Sequence, residues 1–311
     1  DSGLALPKIS LGLWQNFGDE ADYEEIKDII FTAFDRGITH FDLANNYGPA
    51  PGSAETNFGK ILKDGLMPYR DELIISTKAG YEMWDGPYGG RSGTRKYLIA
   101  SLDQSLKRMG LDYVDIFYHH CMTPETPLHE TALCLSDIVR QGKSLYIGMS
   151  NYDGKTMHRM YHRCDDFNVP YVINQNRYNI LDRTVEENGL KKQSEKKKKG
   201  IIAFSPLAQG RLSDKYKNGI PEGSRLYGRE DYCKNIGLDE KQISVIARLS
   251  EFANERGETL SQLAIQWLLA KGVTSVLVGV RNKAQLLENL EALDKAPLTE
   301  KELEIIENIV K

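Results

Sequence analysis

The sequence predicts an α/β fold: a single (β/α)8 TIM barrel over residues 1–311, with helices closing its C-terminal end. Three observations predict it. Eight short apolar segments alternate with stretches of helical periodicity, and strict alternation implies parallel strands joined by right-handed crossovers. No strand-like segment is followed by GxGxxG, the mark of the rival open, doubly wound sheet. Polar, chemistry-bearing residues stand at the ends of several apolar segments, where a barrel would gather them at one mouth. Length does not decide, because 311 residues suit one barrel or two average domains.

Taken in order, Ile9-Ser10-Leu11-Gly12-Leu13-Trp14 is the first apolar segment. Asp22 followed by Glu25 resembles a capping box. Ile26, Ile29, Ile30, Ala33 and Phe34 then share a helical face, which Gly37 can end in the left-handed conformation. The next segment, Gly37-Ile38-Thr39-His40-Phe41-Asp42-Leu43-Ala44-Asn45-Asn46-Tyr47-Gly48, reads as a buried strand running into a polar turn. A helix is expected over 54–62, then a strand over 73–77 that ends at Lys78. A long polar and aromatic loop, 80–93, leads to a helix capped by Thr94, with Leu98, Leu102, Leu106 and Met109 as its stripe and Gly110 past its end. The strand over 113–118 runs out to His120.

The second half repeats the pattern. A helix over 129–141 precedes a strand over 145–148 that ends at Ser150-Asn151, and a helix over 155–167 precedes a strand over 171–174 that leads to Gln175. A Lys-rich helix follows, and its end, Lys196 to Lys199, reads as solvated and favoured by the helix dipole. The strand over 201–204 delivers Ser205-Pro206-Leu207. Helical spacing returns at Ile243, Ile246, Leu249 and Ala253, and again over 260–269. The last strand, 275–278, is followed by Gly279 and two closing helices.

Bulk properties narrow the function. With 41% hydrophobic and 27% charged residues, the chain can bury a full core. A net charge of −4 provides no field for nucleic acid or an anionic membrane, so neither partner is expected. No run approaches the ~18 apolar residues that span a bilayer, and no stretch reads as a signal peptide. Cys121, Cys134, Cys164 and Cys233 are scattered without CxxC. They predict reduced thiols in a cytoplasmic protein, with no disulfide frame and no metal. A Walker loop is excluded: six residues separate Gly52 from Gly59-Lys60, where four are needed.

An acid and a phenol at one strand end are ordinary turn residues. The pattern gains meaning from recurring at three strand ends: Asp42 with Tyr47, then Lys78, then His120. A phenol with a pKa of ~10 is a poor proton donor at neutral pH, and an ammonium at Lys78 would bring it down. Asp42 would hold Lys78 in place and charged, and His120 would hydrogen-bond a carbonyl oxygen. With no strong nucleophile and no metal cage, the remaining chemistry is proton transfer coupled to another event. Hydride transfer to a carbonyl fits, and a cofactor must then carry the hydride.

These motifs resemble the aldo-keto reductases over essentially the whole chain. FDLANNYG, the Lys of ISTKAG and the His of DIFYHH match that family's Asp-Tyr-Lys-His tetrad in order and context. Adjacent strand residues point to opposite faces, and the match selects His120 over His119. Within the family, GYEMWDGPYG and RKYLIASLDQSLKRMGLDYVDIFYHH look like the bacterial L-glyceraldehyde 3-phosphate reductases, which are in turn similar to potassium-channel beta subunits. The resemblance implies a homo-oligomer of four or more barrels.

The resemblance also implies a nicotinamide cofactor across the barrel mouth. Ser150, Asn151 and Gln175 match contacts to the carboxamide. Ser205, Pro206, Leu207, Gln209, Gly210 and Lys215 match a loop over the pyrophosphate. Gly279, Arg281, Gln285, Glu288 and Asn289 match the adenosine segment. Many members have Lys-Ser where this chain has Gly279-Val280, and Arg where it has Gln285. Arg281 is then the group expected to grip a 2′-phosphate, which favours NADPH over NADH.

Trp14 is expected to touch cofactor and substrate, and Tyr81, Trp84 and Tyr88 to touch substrate from the long loop. Arg91, Arg95 and Lys96 offer charge to a substrate phosphate. The implied activity is reduction of a small aldehyde such as glyceraldehyde 3-phosphate or methylglyoxal. The alternative is an NADPH-binding, redox-sensing regulatory subunit with slow turnover. A metal-dependent barrel hydrolase would need several His or carboxylate ligands at strand ends, and of the six His only His120 is well placed.

Overall fold

The computed structural model describes residues 2–86, 89–217, 219–220, 222, 227 and 238–311. Eight parallel strands close into a barrel in sequence order. They are β1 (Ile9–Gly12), β2 (His40–Asp42), β3 (Ile74–Ala79), β4 (Val114–His119), β5 (Ser144–Ser150), β6 (Tyr171–Arg177), β7 (Gly200–Phe204) and β8 (Ser275–Val278). Closure comes from β8 pairing with β1, where Ser10 stands opposite Leu277. The expected barrel is therefore the observed one.

Helices follow the strands and cover the barrel: Tyr23–Asp35, Ser53–Ile61, Arg95–Met109, Leu128–Arg140, Gly154–Asp166, Leu190–Lys196 and Lys283–Leu290, with a final Glu300–Val310. Glu240–Glu255 and Leu260–Ala270 lie between β7 and β8. Seven of these ten starts are fixed by short polar side chains that satisfy otherwise free backbone N–H groups. Asp22 accepts from the Glu25 amide at 3.0 Å, and Thr94 from that of Tyr97 at 3.4 Å. Reciprocal capping boxes occur at Thr259 with Gln262 and at Thr299 with Glu302. Gly37, at φ 87°, lets the chain leave the first helix in the left-handed region and enter β2.

Two apolar layers result. Ile116, Tyr118, Ile173, Ile202 and Leu277 form a cluster inside the barrel, and Leu4 and Leu6, from the segment preceding β1, pack against it. The larger cluster lies between strands and helices, with Phe41, Phe58, Ile75, Phe117 and Trp267 among its fully buried members.

Two local expectations are corrected. The second helix ends at Ile61 and runs on as a π turn, Leu62–Leu66, in which Gly65 takes φ 156°, and then a 3-10 segment, Met67–Glu72. The lysine run is more than a solvated helix end. Lys199 Nζ donates to the Tyr171 carbonyl at 2.7 Å, and Lys197 Nζ lies 5.5 Å from the Tyr161 ring centre. The long alkyl stems let these ammonium groups pin the turn before β7 onto β6 and onto the helix Gly154–Asp166.

Candidate active site

β2 and β3 run side by side with Asp42 opposite Ser76, so the carboxyl ends of the two strands bring Asp42 and Lys78 together. Lys78 Nζ donates to Asp42 Oδ2 at 2.5 Å, to the Leu43 carbonyl at 2.6 Å and to the Tyr47 hydroxyl oxygen at 3.2 Å. Asp42 Oδ1 accepts from Ser76 Oγ at 2.7 Å and from Gln175 Nε2 at 2.9 Å. Both charged groups are completely buried, and such a pair persists because all three Lys78 protons and both Asp42 oxygens have partners. His120 follows β4, with its amide donating to the Ala79 carbonyl at 2.9 Å. Its ring meets the Tyr47 ring edge-on at 5.9 Å between centres and the Tyr81 ring at 4.7 Å. His119 is a packing residue, its Nδ1 2.7 Å from the buried Tyr152 hydroxyl.

The electrostatics correct one expectation. The Tyr47 phenol lies well above its ordinary pKa, because burial disfavours the phenolate and the Asp42 charge adds to that. Lys78 thus stands beside a phenol that holds its proton. Lys78 itself is pushed down by burial, with Asp42 pulling it back up. His120 is pushed well down, first by burial and then by Lys78 and His119, so its imidazole is neutral.

A cleft of about 740 Å³ opens above this cluster, with Asp42, Tyr47, Tyr81 and His120 in its wall. Trp14, half exposed, stands 6.3 Å from Tyr47 between ring centres and lines the same cleft. Further along lie Asn151, Gln175, Ser205, Pro206, Leu207, Gln209, Gly210, Lys215, Gly279, Arg281, Gln285, Glu288 and Asn289. Of the expected cofactor residues, Ser150 is outside the wall. It is buried, and its hydroxyl accepts from Asn151 Nδ2 at 3.2 Å. Trp84 is likewise outside the wall, stacked on Tyr97 at 5.4 Å. Tyr88 lies outside the described residues. Arg95 is held by Asp137 and does not line the cleft. Sequence reading missed Asn46, Arg177 and Phe204, which line it too. Arg177 had a signal, since it follows Gln175 by the two-residue period of a strand.

The cleft suits a nicotinamide dinucleotide. Its volume is within the ~300–1,000 Å³ of small-molecule sites. The polar groups fit as well: amides at Asn151 and Gln175, and cations at Lys215 and Arg281 for phosphate. The loop after β7 is held in an uncommon shape, with Ser205, Ala208 and Gln209 at φ 53°, 48° and 60°. Such conformations cost ~1–3 kcal/mol each and cluster at ligand sites. Asn179 Nδ2 holds the loop by donating to the Ser205 carbonyl at 2.9 Å. At the far end the Arg281 amide donates to Gln285 Oε1 at 3.0 Å, so Gln285 braces the turn that carries Arg281.

Fold and site together define a (β/α)8 barrel enzyme with a lysine-coupled phenol at the floor of a dinucleotide-sized cleft. The chain belongs to the aldo/keto reductase family, whose model matches residues 8–311, and it is an oxidoreductase. It is 50% identical over 306 residues to the L-glyceraldehyde 3-phosphate reductase of Escherichia coli strain K12, covering 97% of this chain and 88% of that protein. A probable voltage-gated potassium channel subunit beta of Arabidopsis thaliana is 33% identical, over 100% of this chain and 94% of that one. A crystal structure of a thermostable aldo-keto reductase in complex with the inhibitor epalrestat superposes with a TM-score of 0.77. Its identity is 30%, over 99% of this chain and 97% of that chain.

Proposed function

We propose that this chain, acting as one domain over residues 1–311, is an NADPH-dependent reductase of small aldehydes such as glyceraldehyde 3-phosphate or methylglyoxal. When bound, NADPH supplies the hydride. The observation that carries the reading is the Lys78 ammonium, 2.5 Å from Asp42 and 3.2 Å from the Tyr47 oxygen, beneath the cleft. Tyr47 is the general acid, and burial keeps its proton in place until a carbonyl oxygen needs it. Lys78 then faces the oxygen that has lost its proton, so the phenolate forms beside an ammonium instead of an apolar wall. Asp42 offsets the desolvation that would otherwise neutralise Lys78. His120 is neutral and orients the carbonyl oxygen through a ring N–H without adding charge.

Asn151 and Gln175 hold the nicotinamide end, Ser205 to Gly210 with Lys215 the diphosphate, and Gly279, Arg281, Gln285, Glu288 and Asn289 the adenosine end. Arg281 supports NADPH over NADH, since a guanidinium matches a 2′-phosphate bidentately. Trp14 and Tyr81 form the substrate walls. The same reading makes the protein cytoplasmic and a homo-oligomer of four or more chains.

The test mixes pure protein with NADPH and a panel of small aldehydes, including both enantiomers of glyceraldehyde 3-phosphate, and follows NADPH absorbance beside the Tyr47→Phe variant. Rapid oxidation with one aldehyde, reduced at least ~10²-fold in the variant, is the expected result. Tight NADPH binding with no oxidation by any aldehyde would overturn the reading in favour of a redox-sensing subunit.

A further inference from the structure

Below the Asp42–Lys78 pair a line of polar side chains crosses the barrel interior. Ser76 Oγ lies 2.9 Å from His40 Nε2, His40 Nδ1 lies 2.8 Å from Ser10 Oγ, and Ser10 Oγ lies 2.6 Å from Ser275 Oγ. All four residues are completely buried, and they come from β3, β2, β1 and β8. Nothing in the proposed reaction uses them, yet four polar groups in an apolar interior demand an explanation.

The direction of each bond follows from the chemistry at one end. The Asp42 carboxylate only accepts, so Ser76 spends its single proton on Oδ1, 2.7 Å away. Ser76 Oγ must therefore accept from His40, which places the imidazole proton on Nε2. Burial pushes His40 down to about 4, so the ring is neutral and Nδ1 is an acceptor. Ser10 then donates to Nδ1, and Ser275 donates to Ser10. Every donor in the line points toward Asp42, and aligned hydrogen bonds of this kind strengthen one another. Ser275, where the line ends, is fully buried, so the line sets charge and does not conduct protons from solvent.

From this geometry we infer that His40 is a positioning residue for the reaction: through Ser76, and oriented by Ser10 and Ser275, it holds Asp42 as the carboxylate that keeps Lys78 charged. The inference rests on the reading of Tyr47 as the general acid. The titratable groups that face the Asp42–Lys78 pair are Tyr47, Tyr118, His120, Glu55 and His40 itself. Loss of the His40 donor to Ser76 weakens the hydrogen bond by which Ser76 holds the Asp42 carboxylate, so the Asp42–Lys78 charge pair is retained over a narrower pH range than in the native protein.

Two measurements test this on the full chain. Side-chain 15N NMR of the labelled protein reads the tautomer without cofactor or substrate. It is expected to show a buried histidine protonated at Nε2, unchanged down to about pH 5, and a mixture of tautomers in Ser10→Ala. The pH profile of kcat is then compared in Ser10→Ala, His40→Leu and His40→Gln. The acid limb is expected to rise by about one pH unit in Ser10→Ala and His40→Leu. It should return most of the way in His40→Gln, whose amide restores a donor to Ser76. Ser10→Ala is the decisive variant, because it removes no volume at the site, touches neither Asp42 nor Lys78, and survives if His40→Leu fails to fold. An Nδ1-protonated His40, or a Ser10→Ala profile that superimposes on the native one, would overturn the inference. A native protein that reduces no aldehyde sinks the proposed activity instead, and the positioning role with it, whatever the tautomer.

Discussion

Arg177 is placed to test substrate preference at a single residue. It stands two positions beyond Gln175 on β6, so its side chain leaves the same strand face about 7 Å further up, toward the mouth. Gln175 donates to Asp42, and Arg177 thus sits one storey above the catalytic floor, in the cleft wall. Its side chain is 56% exposed, and its ion pair with Asp182 spans 3.9 Å, a long contact worth little in water. Together with Arg91, whose guanidinium lies 5.6 Å from the Tyr81 ring centre, it makes the field around Tyr81 positive. Under the proposed activity, an aldehyde carrying a phosphate a few bonds from its carbonyl would have Arg177 in the same cleft wall as its phosphate partner. Arg177→Met should then raise KM for glyceraldehyde 3-phosphate about 10–100-fold with kcat nearly unchanged, the effect of losing one charged hydrogen bond of ~1.5–3 kcal/mol. KM for methylglyoxal should barely move in the same assay. Equal losses for both substrates would mean that Arg177 serves the cofactor or the fold.

Among the elements, the helix Ser53–Ile61 bears directly on the site. It packs against Arg95–Met109 and reaches β3 through Glu55, which accepts from Thr77 Oγ1 at 2.5 Å and from Arg108 Nε at 2.7 Å. Gly59 permits this approach, because a Cβ there would lie 2.6 Å from the Arg108 carbonyl oxygen and 2.8 Å from Met109 Cα. Gly59→Ala gains ~1 kcal/mol of helix propensity but forces backbone against backbone at a cost of ~1–3 kcal/mol. Overpacking wins, and the urea midpoint should fall. A rise would show that the two helices can separate freely. The alternation of elements was legible in the sequence because each strand is an apolar run and each long helix has one stripe, as in Leu98, Leu102, Leu106 and Met109. The π turn at Leu62–Leu66 was not, because Leu62 and Leu66 continue a helical spacing while the break comes from Gly65. Asp42, Tyr47, Lys78 and His120 could be found because strand ends meet at one mouth. The His40 line and Arg177 depend on which strands become neighbours. Ser10 touches Ser275 only after closure across 265 positions, and no local pattern records that contact.

At the scale of the whole molecule, the barrel buries three histidines, His40, His119 and His120, in neutral form, and this fixes how stability depends on pH. Burial pushes His40 to about 4 and His119 to about 3, and holds His120 well below its ordinary value. In the unfolded chain each would titrate near 6.5. Between these values the unfolded chain binds more protons than the native one, so stability rises with pH across the window. The contribution is fully present above about 6.5 and is lost as pH falls toward 4, on the order of 3 kcal/mol for His40 alone. Surface carboxylates act lower. Glu302 and Glu307 are held down by hydrogen bonds and by Arg256, Arg183 and Lys271, so their stabilisation goes only as pH drops below the usual carboxylate range. Buried phenols and thiols bound the other side. Tyr118, Tyr171 and Cys164 are pushed up, so the native chain keeps protons that the unfolded chain releases, and stability declines as pH climbs past ~9–10. Urea midpoints should therefore form a plateau near neutrality and fall between pH 6.5 and 4.5, before the carboxylates contribute. His119→Gln, which can still reach the Tyr152 hydroxyl but takes up no proton, should flatten that fall. A native midpoint that stays level to pH 4.5 would show that the histidines keep their ordinary affinity for protons in the fold. The neutral imidazole on which both the carbonyl-orienting role of His120 and the polarity of the His40 line depend would then be untenable.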